Sequence, residues 1–400
     1  MLVLVAPGQG AQTPGFLSPW LEVDGVADRL AWWSAITGLD LIRYGTAAGA
    51  EEIRDTAVAQ PLLVASGLAA ALALFPHPGD AFKVVGAGAG HSVGELTAAA
   101  GAGVISAESA LVLVRERGRA MADAAAVQST GMTAVLGGAQ GPEGTAGTVL
   151  AKLAEHGLTP ANINGAGQIV AAGTAAQLEA LAADPPDGAR LRPLSVAGAF
   201  HTTHMAPAVE RLTLLSRGIT VRDPRTRLLS NADGAVVHDG HEVLRRIVRQ
   251  VSHPVRWDLC MQTMADLGAT AMIEMPPAGT LTGLARRGLP GVETVALKTP
   301  GDLDAARALV ERHGSQSPLD DSPTWRLVVA PFGGTFHADD VPSGSTLVPG
   351  DRVGAITSRR EEQSITVPHG GTVVEWLVED GDPVSPGQPL VRLHPEAVHV

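Results

Sequence analysis

A chain of 400 residues is long for one hydrophobic core and predicts two or three domains. Hydrophobic residues make up 45% and charged residues 18%, the balance of a globular protein rather than a disordered one. The net charge of −12 argues against non-specific nucleic-acid binding, and a single cysteine, Cys260, excludes an intrachain disulfide and fits a reducing compartment.

Leu2–Ala6 reads as a short buried strand, stopped by Pro7-Gly8. This apolar run is too short for a secretory leader and no basic residue precedes it. No stretch reaches the ~18 uninterrupted apolar residues of a membrane span. A cytoplasmic enzyme with no membrane partner is the expectation. Thr56–Leu74 has the alanine- and leucine-rich composition of a long helix. Lys83–Ala87 reads as a strand, Val93–Ala100 as a helix and Ala107–Ala125 as another. Strands alternating with helices predict an α/β sheet with a largely parallel core.

Residues 132–196 carry a pattern of their own. "MTAVLG" is a strand, "GTVLAKLAEHG" a helix, and "LTPANIN" and "QIVAAG" are strands around a Gly165-Ala166-Gly167 turn. "TAAQLEALAAD" is a second helix and "ARLRPLSV" a last strand. The order β-α-β-β-α-β predicts a ferredoxin-like insert. The large α/β part is then 1–131 together with 197–313. Residues 314–323, with "SQSPLDDSP", read as a polar, acidic, proline-bounded linker. Residues 324–400 differ in composition: acids outnumber arginines and there is no lysine. They also repeat. "APFGGT" at Ala330–Thr335 returns as "VPHGGT" at Val367–Thr372, and "GSTLVPGD" at Gly344–Asp351 as "GDPVSPGQ" at Gly381–Gln388, both at an offset of 37. Two such halves, rich in β-branched residues and Pro-Gly turns, predict a pseudo-symmetric all-β sandwich.

Gly90-His91-Ser92-Val93-Gly94 falls between the strand and the helix, the setting of a nucleophile elbow. There the Val93 N–H is the natural first oxyanion donor, at a helix N-terminus whose unpaired N–H groups favour negative charge. The alternative from these five residues alone is a glycine-rich turn with a helix-capping serine. A dinucleotide loop fits less well, because the third glycine of that fingerprint is displaced, and no Gly-Lys-Ser/Thr makes a phosphate loop. A serine hydroxyl needs a base, and His201 in "VAGAFHTTHMAP" is the first candidate. His91 adjoins Ser92 and should point away from the elbow. His201 and His204 make a His-x-x-His pair, but no carboxylate or cysteine accompanies them in that segment, so no metal is expected.

The motif set settles what single motifs leave open. "PGQGAQ" at Pro7–Gln12, "QPLLVAS" at Gln60–Ser66, "GHSVGE" at Gly90–Glu95, "RERGRAM" at Arg115–Met121, "NGAGQIVAAG" at Asn164–Gly173, "GAFHTTHM" at Gly198–Met205 and "RQVSHPVRW" at Arg249–Trp257 stand in the order seen in malonyl-CoA:acyl carrier protein transacylases. The chain resembles that family over roughly residues 1–310. The resemblance implies a hydrolase-like α/β large subdomain with the ferredoxin-like insert. It implies Ser92 as nucleophile, His201 as general base oriented by the backbone carbonyl of Gln250, and an oxyanion hole of Gln9 and the Val93 N–H. It implies Arg117 as the partner of the free malonyl carboxylate, with Gln60 and His91 also at the substrate, while Arg115 and Arg119 are expected on a solvated face. Asp123, Glu143 and Glu179 do not look placed for the third member of a hydrolase triad. Phe200, where relatives that choose methylmalonyl tend to have serine, implies a malonyl preference; core packing is the alternative.

Malonyl-CoA and an acyl carrier protein are thus the implied substrate and partner, in fatty acid or polyketide synthesis. Carrier proteins are acidic, so docking calls for a local basic patch, either Arg286-Arg287 or Arg245, Arg246 and Arg249, unless these arginines are simply scattered and solvated. Residues 324 to about 398 resemble biotinyl/lipoyl carrier domains, but the position of their modified lysine falls at or near Arg360. Without a lysine no amide-linked biotin or lipoate can form, and no cofactor is expected. A docking, dimerising or stabilising domain is expected instead, with recruitment of an acyl-CoA carboxylase as an alternative. Two other functions compete: a serine esterase or thioesterase on the same elbow, and an idle scaffold. Arg117 and the missing acidic triad member argue against the first, and the retained Ser92, His201, Gln9 and Arg117 against the second.

Overall fold

The structure is a computed structural model that describes residues 1–140, 144–165, 167–196, 198–314, 326–358, 361–368 and 370–394. The chain divides into two units, Met1–Ser317 and Pro318–Val400. Most of the expected linker, together with Glu143, Ala166 and Arg360, lies outside the described residues.

In the first unit Leu2–Ala6 is a central strand, paired in parallel with Val85–Gly90 on one side and Ala271–Glu274 on the other. Glu293–Ala296 and Arg227–Leu229 extend this sheet in parallel, and Val236–Val237 closes it as an antiparallel edge. The strand leading to Ser92 differs from its expected bounds. Pro78–Val84 is a short helix, and the strand runs from Val85 to Gly90, buried throughout. Proline at the helix start and Asp80 in its first turn explain the helix. Its apolar Phe82 and Val84 mimic a strand when read as sequence alone.

Thr56–Leu74 is the central helix, started by the Asp55 side chain accepting from the Ala57 N–H. It is long and apolar enough to span a membrane by composition, yet most of its length is packed inside the protein. Ala107–Ala125 is capped by Ser106 and crosses it closely. A Cβ on Gly118 would lie 2.8 Å from the Thr56 carbonyl oxygen, so only glycine permits this approach. That crossing brings Arg117 against Gln60.

The insert has the expected topology. Thr130–Gly137, Thr159–Gly165, Gln168–Thr174 and Ala189–Pro193 form an antiparallel sheet, with the first strand between the third and the fourth. Gly144–Glu155 and Ala175–Ala183 are its helices. A fifth strand, Val255–Arg256, comes from the large part and pairs in parallel with Thr159–Gly165. Two residues carry too little pattern to announce a strand.

The second unit is two four-stranded antiparallel sheets over one apolar core that includes Phe336, Val353, Ile356, Val373, Leu390 and Val391. The repeat is structural. Thr346–Leu347 and Arg352–Thr357 recur as Pro383–Val384 and Pro389–His394, each shifted by 37 residues. Gly334–Ala338 recurs within Gly371–Trp376, and Arg326–Val329 within Glu362–Thr366. Exchanging each strand with its repeat turns one sheet order into the other.

Candidate active site

Ser92 sits between the elbow strand and the helix Gly94–Gly101 with φ +53°, a left-handed conformation that non-glycine residues rarely adopt. The two flanking glycines make the turn possible. A Cβ on Gly90 would lie 1.9 Å from the Gly94 carbonyl carbon, and one on Gly94 would lie 2.2 Å from the Ala6 oxygen. The Ser92 N–H donates to Asn231 Oδ1 at 2.8 Å, and Asn231 Nδ2 donates to the Gly90 carbonyl at 2.7 Å, so a buried asparagine clasps the turn.

His201 also has positive φ, +62°, and its ring is buried. Its Nε2 lies 2.7 Å from Ser92 Oγ and its Nδ1 lies 2.8 Å from the Gln250 carbonyl oxygen. A carbonyl only accepts, so Nδ1 carries the proton and Nε2 is free to accept from the serine hydroxyl. Gln250 ends the helix Gly240–Gln250, which begins at the Asp239 cap. A helix C-terminus carries partial negative charge and favours an imidazolium forming beside it. Burial, with the Arg117 charge nearby, pushes His201 down to about 3, so it is neutral at neutral pH.

Arg117 is 1% exposed. Its Nη1 donates to Gln60 Oε1 at 2.7 Å and its Nη2 to Gln250 Oε1 at 2.9 Å, with Ser92 Oγ 3.4 Å from Nη2. Its Nε is buried without a partner. Burial lowers Arg117 to about 10, partly offset by Glu95, and it keeps its charge at neutral pH. It thus faces the serine with neutral amides as its neighbours and donors left over for an anion. Arg115 departs from the solvated face expected of it: Nη1 donates to the Ala57 carbonyl at 2.8 Å and Nε is buried. Arg119 does lie outside, paired with Glu116.

Gln9 Nε2 is engaged by the Arg54 carbonyl at 3.1 Å and Thr56 Oγ1 at 3.5 Å. Its main-chain N–H and that of Val93 donate to nothing among the described residues. These N–H groups, not the Gln9 side chain, are the donors left for an oxyanion. His91 turns away from Ser92, bonding Asn164 Oδ1 at 2.9 Å and packing on Trp257, and burial lowers it. Phe200 is buried beside Gly198, where a Cβ would lie 3.4 Å from Phe200 Cε1. Asp123 pairs with Arg211, and Glu179 is exposed. Among the described residues no group of three or more His, Cys, Asp or Glu is placed to hold a metal ion. Arg249, Arg286 and Arg287 are exposed and have no ion-pair partner among the described residues, whereas Arg245 and Arg246 are paired with Glu242.

A cleft of about 560 Å³ is lined by Arg54 and Thr56, which Gln9 Nε2 contacts, with Ala125 and Ser195 among others, and it includes none of Ser92, His201 and Arg117. An apolar cavity of about 380 Å³ touches the elbow helix at Thr97 and Ala98 but includes none of Ser92, His201 and Arg117. Two site residues were not singled out from sequence. Asn231 and Glu95 are both buried, and Glu95 accepts from the Asn231 N–H at 2.6 Å and from Gln250 Nε2 at 2.5 Å. An acid among the apolar residues of Val93–Ala100 was the one signal available for Glu95.

A strained serine on an elbow, a neutral histidine within hydrogen-bond reach and two free N–H groups define a serine-dependent acyl-transfer enzyme. Residues 3–300 match the family model described as "Acyl transferase domain". A malonyl CoA-acyl carrier protein transacylase of Mycobacterium tuberculosis is 51% identical over 309 residues, 76% of this chain and 98% of the relative. The protein of that name in Escherichia coli is 32% identical over 313 residues, 76% of this chain and 98% of the relative. The crystal structure of MCAT from Mycobacterium tuberculosis superposes with a TM-score of 0.73 at 51% identity, covering 77% of this chain and 99% of that one. A chain from the structure of a type II polyketide acyl-carrier protein in complex with its malonyl-transacylase matches at 29% identity and TM-score 0.69, covering 77% of this chain and 99% of that one. This chain belongs to the acyl transferase family.

Proposed function

We propose that the protein is an acyl-carrier-protein S-malonyltransferase: it moves a malonyl group from malonyl-CoA, through an ester on Ser92, to the phosphopantetheine thiol of an acyl carrier protein. The observation that carries this reading is Arg117, a charged guanidinium 3.4 Å from Ser92 Oγ that is surrounded by neutral amides and keeps an unpaired Nε. Guanidinium and carboxylate match as planar, bidentate partners. A simple esterase has no use for such a clamp.

In this reading His201 takes the Ser92 proton as the hydroxyl attacks the thioester carbonyl. The oxyanion forms against the Val93 and Gln9 N–H groups; losing one such donor typically costs ~10²–10³ in rate. His201 returns the proton to the departing CoA thiolate. The pantetheine thiol of the carrier then enters, and the sequence runs backwards. Gln60 and Gln250 fix Arg117, and Phe200 disfavours a C2 methyl. The carrier docks on Arg249, Arg286 and Arg287, which are exposed and make no ion pair among the described residues. No cofactor enters this chemistry. The second unit, which has no lysine to carry biotin or lipoate, serves as a docking, dimerising or stabilising module, with an acyl-CoA carboxylase as the further partner it would recruit. A cytoplasmic setting in fatty acid or polyketide synthesis belongs to the same reading. The test is incubation with malonyl-CoA and a holo carrier protein. Malonyl-carrier should accumulate, and release of free malonate in its place would make the protein a thioesterase.

A further inference from the structure

We infer that Glu95 is a positioning residue for malonyl selection: it fixes the orientation of the Gln250 amide, and through it the guanidinium of Arg117. The inference rests on the malonyl-transfer reading and deepens it. Gln250 meets the site twice. Its main-chain carbonyl holds His201 Nδ1, and its side-chain Oε1 accepts from Arg117 Nη2 at 2.9 Å. Which way round the amide lies decides whether Arg117 meets an acceptor or a donor.

Three acceptors crowd the Nε2 end: Glu95 Oε2 at 2.5 Å, the Ser92 carbonyl at 3.1 Å and Asn231 Oδ1 at 3.1 Å. Asn231 is itself fixed, since its Oδ1 accepts from the Ser92 N–H and its Nδ2 donates to the Gly90 carbonyl. The flipped amide would set Oε1 against three oxygens and set Nε2 against a guanidinium. Glu95 Oε2 is the nearest of the three. Its other oxygen, Oε1, accepts from the Asn231 main-chain N–H at 2.6 Å, so the carboxylate bridges the clasp on Ser92 and the brace on Arg117. The arrangement also explains why an acid is tolerated here. Burial pushes Glu95 up to about 8, opposed by the Asn231 N–H, the Arg117 charge and the Gln250 amide. No substrate atom is needed to account for any of these contacts.

The substitution Glu95→Gln makes the sharp test. The new amide keeps its oxygen on the Asn231 N–H and turns an NH₂ toward Gln250 Nε2, donor against donor. Gln250 must then turn or withdraw, and Arg117 loses its acceptor. Two readouts are followed on the full chain: Ser92 acylation by malonyl-CoA, and Ser92 labelling by a neutral fluorophosphonate, which needs the Ser92–His201 pair but not the clamp. Malonyl kcat/KM should fall about 10- to 100-fold, the range of one charged hydrogen bond, mostly through KM. Fluorophosphonate labelling should stay within about threefold, well short of the loss expected from disabling a catalytic base. Unchanged malonyl kcat/KM, or parallel loss of both activities in a folded variant, would overturn the inference. If Glu95→Gln fails to fold, Glu95→Asp, which keeps the two acceptor oxygens but withdraws them, is read by the same ratio and should show a smaller shift in the same direction. Failure of the wild-type protein to be acylated by malonyl-CoA would instead overturn the malonyl-transfer reading itself.

Discussion

Ser92 and His201 both hold left-handed backbone conformations, at φ +53° and +62°. Such strain costs about 1–3 kcal/mol per residue and persists only where the surroundings enforce it. Asn231 enforces it at Ser92, and the His201 N–H bound to the Val251 carbonyl does so at His201. The buried imidazole has a consequence for pH. Its folded pKa, about 3, lies below the ordinary histidine value, so the base form persists as the solution is acidified. Acylation kcat/KM should therefore stay level from about pH 7 to about pH 5, where an ordinary histidine would show a limb near 6.5. Rapid-mix acylation across that range checks this, and a limb centred near 6.5 would contradict the burial argument. The linked stability has the same sign. It is fully present above about 6.5 and declines as the pH falls toward the folded value, because the unfolded chain takes up the proton first. At this scale Ser92 was legible from its flanking glycines and His201 as the first candidate for its base, whereas Arg117 and Gln250 were legible only through the family motifs. Nothing local in sequence joins residues 92, 117, 201 and 250. Asn231 and Glu95 stayed hidden because a buried amide or acid looks like any other polar residue until its partners are known.

Among the elements, the strand–elbow–helix unit depends most on missing side chains. Gly94→Ala would place a methyl group 2.2 Å from a main-chain oxygen of the neighbouring strand, which has no flexible end to give way. A loss of about 1–3 kcal/mol or more is expected, seen as a lowered melting temperature together with lost acylation. Gly49→Ala, with nothing within 4 Å of the new carbon, is the matched control and should stay within about 0.5 kcal/mol. The long helices Thr56–Leu74 and Ala107–Ala125 were legible at their full length, because composition and Asp or Ser caps agree there. The elbow strand was misplaced by two to three residues because Phe82 and Val84 extend its apolar run backwards into a helix. The two-residue strands Val236–Val237 and Val255–Arg256 are made by pairing, not by their own sequence.

The whole molecule joins two units that need different arguments. The first holds every residue of the site and the whole match to the acyl transferase model, residues 3–300. A fragment of residues 1–314 should therefore keep malonyl acylation within about twofold of the full chain, as expected of a domain with its own core. A larger loss would give the second unit a part in the reaction. That unit was legible from an offset of 37 residues, because repetition survives in sequence when pairing partners do not. The central claim is that one crevice unites a hydroxyl, a neutral imidazole and a guanidinium for transfer of a group bearing a free carboxylate. Intact-mass analysis after mixing with malonyl-CoA tests it most directly. The account predicts a single malonyl adduct on the wild-type protein, none on Ser92→Ala, and acylation of Arg117→Ala slowed about 10-fold or more. An adduct that survives Ser92→Ala, or forms as readily on Arg117→Ala, would contradict it.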